Sequence, residues 1–128
     1  MRDLANNIGM AGTIEPQVVA ATVKGTAVDL HGFGSATLVI STGAVVGAGD
    51  YAAKLQESDT VVDGDFTDVA ATDLLGTLPA PLTASTVVKQ GYAGSKRYIR
   101  AVITKNSGTS IAAGAVIVKG HAASRPIA

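Results

Sequence analysis

Hydrophobic positions along this chain come in short runs of Val, Ile, Thr and Ala, separated by clusters of Gly, Asn, Asp and Ser. Runs of this kind, bounded by turn residues, predict short antiparallel strands. The pattern places strands at residues 17–24, 26–30, 36–42, 51–58, 66–69, 86–92, 97–105 and 111–120. Turns fall at HGFGS, STGAVVGAGD, DTVVDGD and KNSGTS. Only TDLLGTL reads as helical, and the Leu78-Pro79-Ala80-Pro81 sequence ends it.

Alternation within the runs assigns faces. In YAAKLQES, Tyr51, Ala53 and Leu55 turn to the core, while Ala52, Lys54 and Gln56 turn to water. In RYIRAVIT, Ile99, Ala101 and Ile103 share one face; Tyr98, Arg100, Val102 and Thr104 share an outward one. The run IAAGAVIVKG is apolar on both faces, so a second cover is expected there, from another sheet or another subunit. About eight short strands with almost no helix predict an all-β fold, an antiparallel β-sandwich or a jelly-roll-like barrel. Residues 1–16 lack strand alternation and carry Asn6, Asn7, Gly9, Gly12 and Pro16, which reads as an extended N-terminal arm. Residues 17–121 form a single β domain on this reading, and 122–128 a C-terminal tail. Arms of this kind are ordered by neighbouring subunits, so removal of residues 1–16 is expected to spare folding and weaken attachment.

Composition narrows the functional classes. The 128 residues suffice for one domain with one core. Net charge is zero, which gives no bulk attraction to nucleic acid or an anionic membrane. No apolar run approaches the roughly 18 residues of a membrane span. MRDLANNIGMAGTIEP has no secretion-type apolar block, so the expectation is a soluble protein acting where it is made or released by lysis. The neutral total hides two blocks. Glu57, Asp59, Asp63, Asp65, Asp68 and Asp73 crowd residues 57–73, and Lys89, Lys96, Arg97, Arg100, Lys105 and Lys119 lie in the last third.

Candidate chemistry is sparse. Cysteine is absent, and His31 and His121 are the two histidines, one in a glycine-rich turn and one opening the tail; neither neighbours a nucleophile motif. Gly32-x-Gly34 leads into a strand rather than a helix, so turn glycines explain it better than a phosphate cradle. The basic strand GSKRYIRAVIT, with one tyrosine in it, lacks the interleaved aromatics of a nucleic-acid platform. The acidic stretch fails as an EF-hand: counted from Asp59, position three is Val61 and position twelve is Ala70. Asp63-Gly64 instead signals a turn, giving a hairpin with a negative tip; a loose Ca²⁺ site is the alternative. No catalytic residue, cofactor or metal ligand is assigned. Because a turn tip and the outer face of a strand are hard to join within one small sandwich, Glu57, Asp59, Asp63, Asp65, Asp68, Lys96, Arg97, Tyr98 and Arg100 are expected to make contacts between subunits.

The succession AVDLHGFGSATLVISTGAV, AAKLQESDTVVDGDFTDVAATDLLGT, GYAGSKRYIRAVIT and AAGAVIVKGHA resembles the capsid decoration, or cement, proteins of tailed phages, over about residues 17–121. That resemblance implies an all-β virion protein that catalyses nothing. It implies many copies on the exterior of an assembled capsid, made in the host bacterial cytoplasm, with the major capsid protein and itself as partners, often as a trimer. Head–tail connector, tail-tube and spike-base proteins use similar hairpins and are the alternative; a sugar-binding β domain is a third reading, weakened by having only five aromatic residues.

Overall fold

The computed structural model describes residues 4–122. Ten strands run in order: β1 (Gly9–Val19), β2 (Val23–Lys24), β3 (Val28–Asp29), β4 (Phe33–Val46), β5 (Asp50–Ser58), β6 (Thr67–Asp68), β7 (Leu74–Leu75), β8 (Val87–Tyr92), β9 (Tyr98–Ser107) and β10 (Ser110–Ala122). They form an all-β sandwich of two antiparallel sheets. Sheet I runs β1-β10-β4-β8-β7, and sheet II runs β2-β9-β5-β6 with β3 also on β9. The core lies between them. Leu38, Ile40, Ile111, Ala115 and Ile117 come from sheet I, and Tyr51, Leu55, Ile99, Ala101 and Ile103 from sheet II. The alternation read in β5 and β9 is the alternation observed.

Two short connections, β4 to β5 and β9 to β10, hand the chain from one sheet to the other. Their turns meet at Gly108, which has φ +84°; a Cβ there would run into the backbone of Ala48 and Gly49. Only glycine serves both the left-handed conformation and the close approach.

The expected arm is corrected. From Gly9 onward it is β1, paired with β10 from Gly9↔Lys119 to Val19↔Ile111. Thr13 and Ile14 are both 3% exposed. Alternation failed as a signal because the register shifts twice, between Gly12 and Ile14 and between Ile14 and Gln17. Such bulges put adjacent residues on one face and let Pro16 sit in the strand without breaking a ladder bond. Thr13 then joins the sheets. Its Oγ1 donates to Thr26 O (2.9 Å) and accepts from Ala101 N–H (3.1 Å), while Thr26 N–H donates to Thr13 O (2.6 Å). Removing residues 1–16 would therefore remove core and corner together. Residues 1–3, and the tail from 123, lie outside the described residues.

TDLLGTL is also corrected. It forms a short 3-10 turn (Ala71–Asp73) followed by β7, because Leu74 and Leu75 pair with Tyr92 and Gly91 at the edge of sheet I. No helix among the described residues is long and apolar enough to cross a membrane.

Candidate functional site

The acidic hairpin and the basic strand are brought together, but within one chain. β5 and β6 form the predicted hairpin, with Gln56 opposite Asp68 and Glu57 opposite Thr67, and its tip contains a 3-10 turn, Asp63–Asp65. β9 lies on the other side of β5, so Gln56 stands directly across from Arg100. The loop between β5 and β6 folds back over this outer face of sheet II. Arg100 is consequently 6% exposed; Val102 on the same face is 3% exposed, where sequence alternation turned both outward.

Arg100 is the centre of the cover. Its Nε and Nη2 donate to Gln56 Oε1 (3.0 and 2.8 Å), and its Nη1 donates to Asp63 Oδ1 (2.6 Å). Its guanidinium stacks over Phe66, 4.2 Å from the ring centroid. Cation–ring stacking together with charge-assisted bonds satisfies a planar cation whose own water has been removed. The Asp63 side chain stays largely in water and also meets Lys24 at 3.6 Å. The Arg100 hydrogen bond, assisted by Lys24, lowers the Asp63 pKa below the usual carboxylate value.

The remaining candidates split into separate pairs. Lys96 Nζ bonds Asp59 Oδ2 at 3.0 Å, which raises the lysine pKa. Lys54 and Gln56 both donate to Asp68 and lower its pKa, Gln56 most. Asp65 accepts from Thr60 Oγ1 at 2.6 Å. Glu57 reaches across the sandwich to sheet I: Tyr92 OH donates to its Oε1 at 2.7 Å and accepts from Lys96 N–H at 3.0 Å. Burial first, and then the bond to Glu57, push the Tyr92 phenol well above its ordinary value. Arg97 does not join the hairpin. It makes a two-pronged contact with Asp29 on β3 (3.0 and 2.9 Å), holding that carboxyl down at about 2, and lies over the half-buried Tyr98 ring at 5.2 Å.

The premise that hairpin tip and strand face could not meet in one sandwich is thus corrected: a folded-back loop does what a flat hairpin cannot. Three participants were missed from sequence: Gln56, Phe66 and Lys24. Gln56 carried a usable signal, since a neutral amide two residues beyond Lys54 on the same face can accept from an arginine across the ladder. Phe66 had only its scarcity to mark it.

Among the described residues, no three His, Asp or Glu side chains converge on a point that could hold a metal ion. His121 Nδ1 lies 2.8 Å from Ser35 Oγ on exposed surface, and among the described residues no carboxylate bonds its ring. A cleft of about 360 Å³ beside Ser35 includes His31, Lys96 and Arg97, but both cations there are already paired with acids. Chemically the assembly is a set of internal clamps. Compared with known families and curated proteins, the chain matches no family model and no curated sequence.

Proposed function

We infer that this chain is a structural virion protein that binds the exterior of an assembled phage capsid and stabilises it, catalysing nothing. The observation that carries the reading is the use made of the charged groups: Arg100, Asp63 and Phe66 close the chain's own loop onto sheet II. The groups that a reaction centre would need are engaged in holding surface still. A rigid sandwich with a fixed cover offers area for contact, and a decoration subunit works by area. It binds assembled shell and not free capsid subunits, so each bound copy shifts the assembly equilibrium by mass action. The order of segments resembling cement proteins supports the same reading.

A density map of purified virions tests it. Hundreds of copies on the capsid exterior are expected. About a dozen copies at a single vertex would place the chain in the neck or tail instead, and absence from the particle would end the reading altogether.

A further inference from the structure

We propose that the outer face of sheet I binds a second copy of this chain, the two sheets stacking face to face about a two-fold axis that runs along β4. The proposal stands apart from the capsid reading and does not need it.

The face is unlike ordinary solvated surface. Apart from Glu15 at the edge-strand bulge, Lys89 is the one charge among its described outward residues. Four large hydrophobics project from it: Val87 (70% exposed), Val18 (68%), Met10 (63%) and Leu75 (62%). Its middle is low, because Ala112 and Gly114 of β10 floor a groove of about 560 Å³ bounded by Pro16 and Val18 on one side and Val39 on the other. The rows of Met10 and Val18 are six residues apart along β10, so across four strands the strand geometry gives ~20 Å by ~19 Å, about 400 Å² in plan. Side-chain relief and β7 carry the accessible area toward the roughly 800 Å² that each partner gives to a standard interface.

The register makes this face complementary to itself. A half-turn about β4 preserves height along the strands and exchanges β8 with β10 and β7 with β1. Gly114, Ser41 and Val87 stand in one cross-strand row. The half-turn therefore sets the projecting Val87 of one copy over the groove of the other beside Gly114, on its Val39 side, since Pro16 packs against Gly114 from the edge strand. Met10, Val118, Thr37, Gly91 and Leu75 form the next outward row but one. There the half-turn sets Leu75 against Met10. Between them lies the row Gly12, Val116, Val39 and Lys89. Lys89 comes over Val116 with Gly12 beyond it, where nothing lies within 4 Å of the missing side chain. Its aliphatic stem has room to run outward to the edge strand, where Glu15 of the other copy is exposed. Strands related in this way stay aligned within about 30°, the ordinary geometry of stacked sheets. A flat face that matches itself closes as a dimer, not as the trimer the family resemblance implies.

The test is the solution mass of the full chain by sedimentation equilibrium over a concentration series, alongside Val87→Glu and Leu75→Glu. A dimer is expected, with each substitution weakening it at least about tenfold while circular dichroism is unchanged. Should either variant fail to fold, Ser41→Cys decides. It lies on the axis in a chain without cysteine, and it should cross-link to its own copy with a bifunctional thiol reagent that spans the about 10 Å between stacked sheets, too far for a direct disulfide, whereas Lys54→Cys on sheet II should not. A monomer at every concentration, a trimer, or an oligomer indifferent to Val87→Glu would overturn the proposal. A monomeric chain whose Val87→Glu form loses capsid occupancy would assign the face to the capsid, which also overturns it.

Discussion

The two sheets present opposite outer faces. Sheet II is charged and covered by its own chain: Arg100 is buried beneath the Asp63–Phe66 loop, and Val102 on the same face is also buried. Sheet I is nearly neutral and uncovered, with four large hydrophobics in solvent. The second faces of the strands beneath are not the same, Tyr98, Arg100, Val102 and Thr104 on β9 against Ala112, Gly114, Val116 and Val118 on β10, but that alone does not decide which is covered. The difference comes from the segment after the neighbouring strand. β5 leads into an eight-residue segment, 59–66, rich in acids and ending at Phe66, over which Arg100 stacks. β4 leads into a tight turn, which can cover nothing. A sheet face is satisfied from within when a loop of suitable chemistry is available to fold over it, and otherwise waits for a neighbour.

The contrast depends on the corner that keeps the sheets apart, and breaking that corner should have the largest effect. A Cβ on Gly25 would sit 2.7 Å from the carbonyl oxygens of both Ala101 and Thr13. Gly25→Val should destabilise the fold by about 3 kcal/mol or more in denaturant unfolding. Deletion of residues 1–16 should abolish cooperative unfolding, since it takes Thr13 and Ile14, whereas deletion of 1–8 leaves β1 whole.

Uncovering sheet II comes next. Arg100→Ala should cost about 2–4 kcal/mol, through lost packing on Phe66 and the loss of both donors to Gln56 Oε1, with Arg100→Met retaining roughly half. Amide exchange over residues 59–66 should speed up in both, and exchange in sheet I should not. If the loop stays protected in Arg100→Ala, the clamp is elsewhere.

A smaller change is expected at the tie between the sheets. Tyr92→Phe removes the donor to Glu57 and the acceptor of Lys96 N–H, an expected loss of about 1–2 kcal/mol by thermal or chemical unfolding.

The smallest effect belongs to exposed Asp29 and Arg97. Because Arg97 lowers the Asp29 carboxyl from its unfolded value near 4 to about 2, the pair contributes fully above about pH 4 and is lost as pH falls through about 2. Solvent screening keeps that contribution slight. A carboxyl titration by NMR should place Asp29 well below the ordinary carboxylate range, and Arg97→Gln should return it toward that range.

Much of this contrast was legible in sequence, and its limits have physical reasons. The faces of β5 and β9 come from simple alternation, and the double-sided apolarity of IAAGAVIVKG marked an apolar outer face on β10, which the described residues leave uncovered. β1 escaped because two bulges and Pro16 interrupt period two. Leu74 and Leu75 looked helical because a two-residue edge strand is too short to show any period. The charge blocks were visible at once, but not that they pair in one chain. That depends on a loop folding back, and on Arg100 preferring Gln56, Asp63 and Phe66 together to water, a long-range choice no local pattern records.

The central claim is that the charged face is closed on itself and the neutral face makes the contacts. It is tested most directly by tracking self-association across a salt series. Between about 0.1 and 1 M salt the Debye length shrinks from about 10 to about 3 Å. An association that holds or strengthens over that range is expected, as for apolar burial. Dissociation as salt rises, relieved or abolished by charge reversal at Arg97 and Arg100, would contradict it and return the contacts to the charged face.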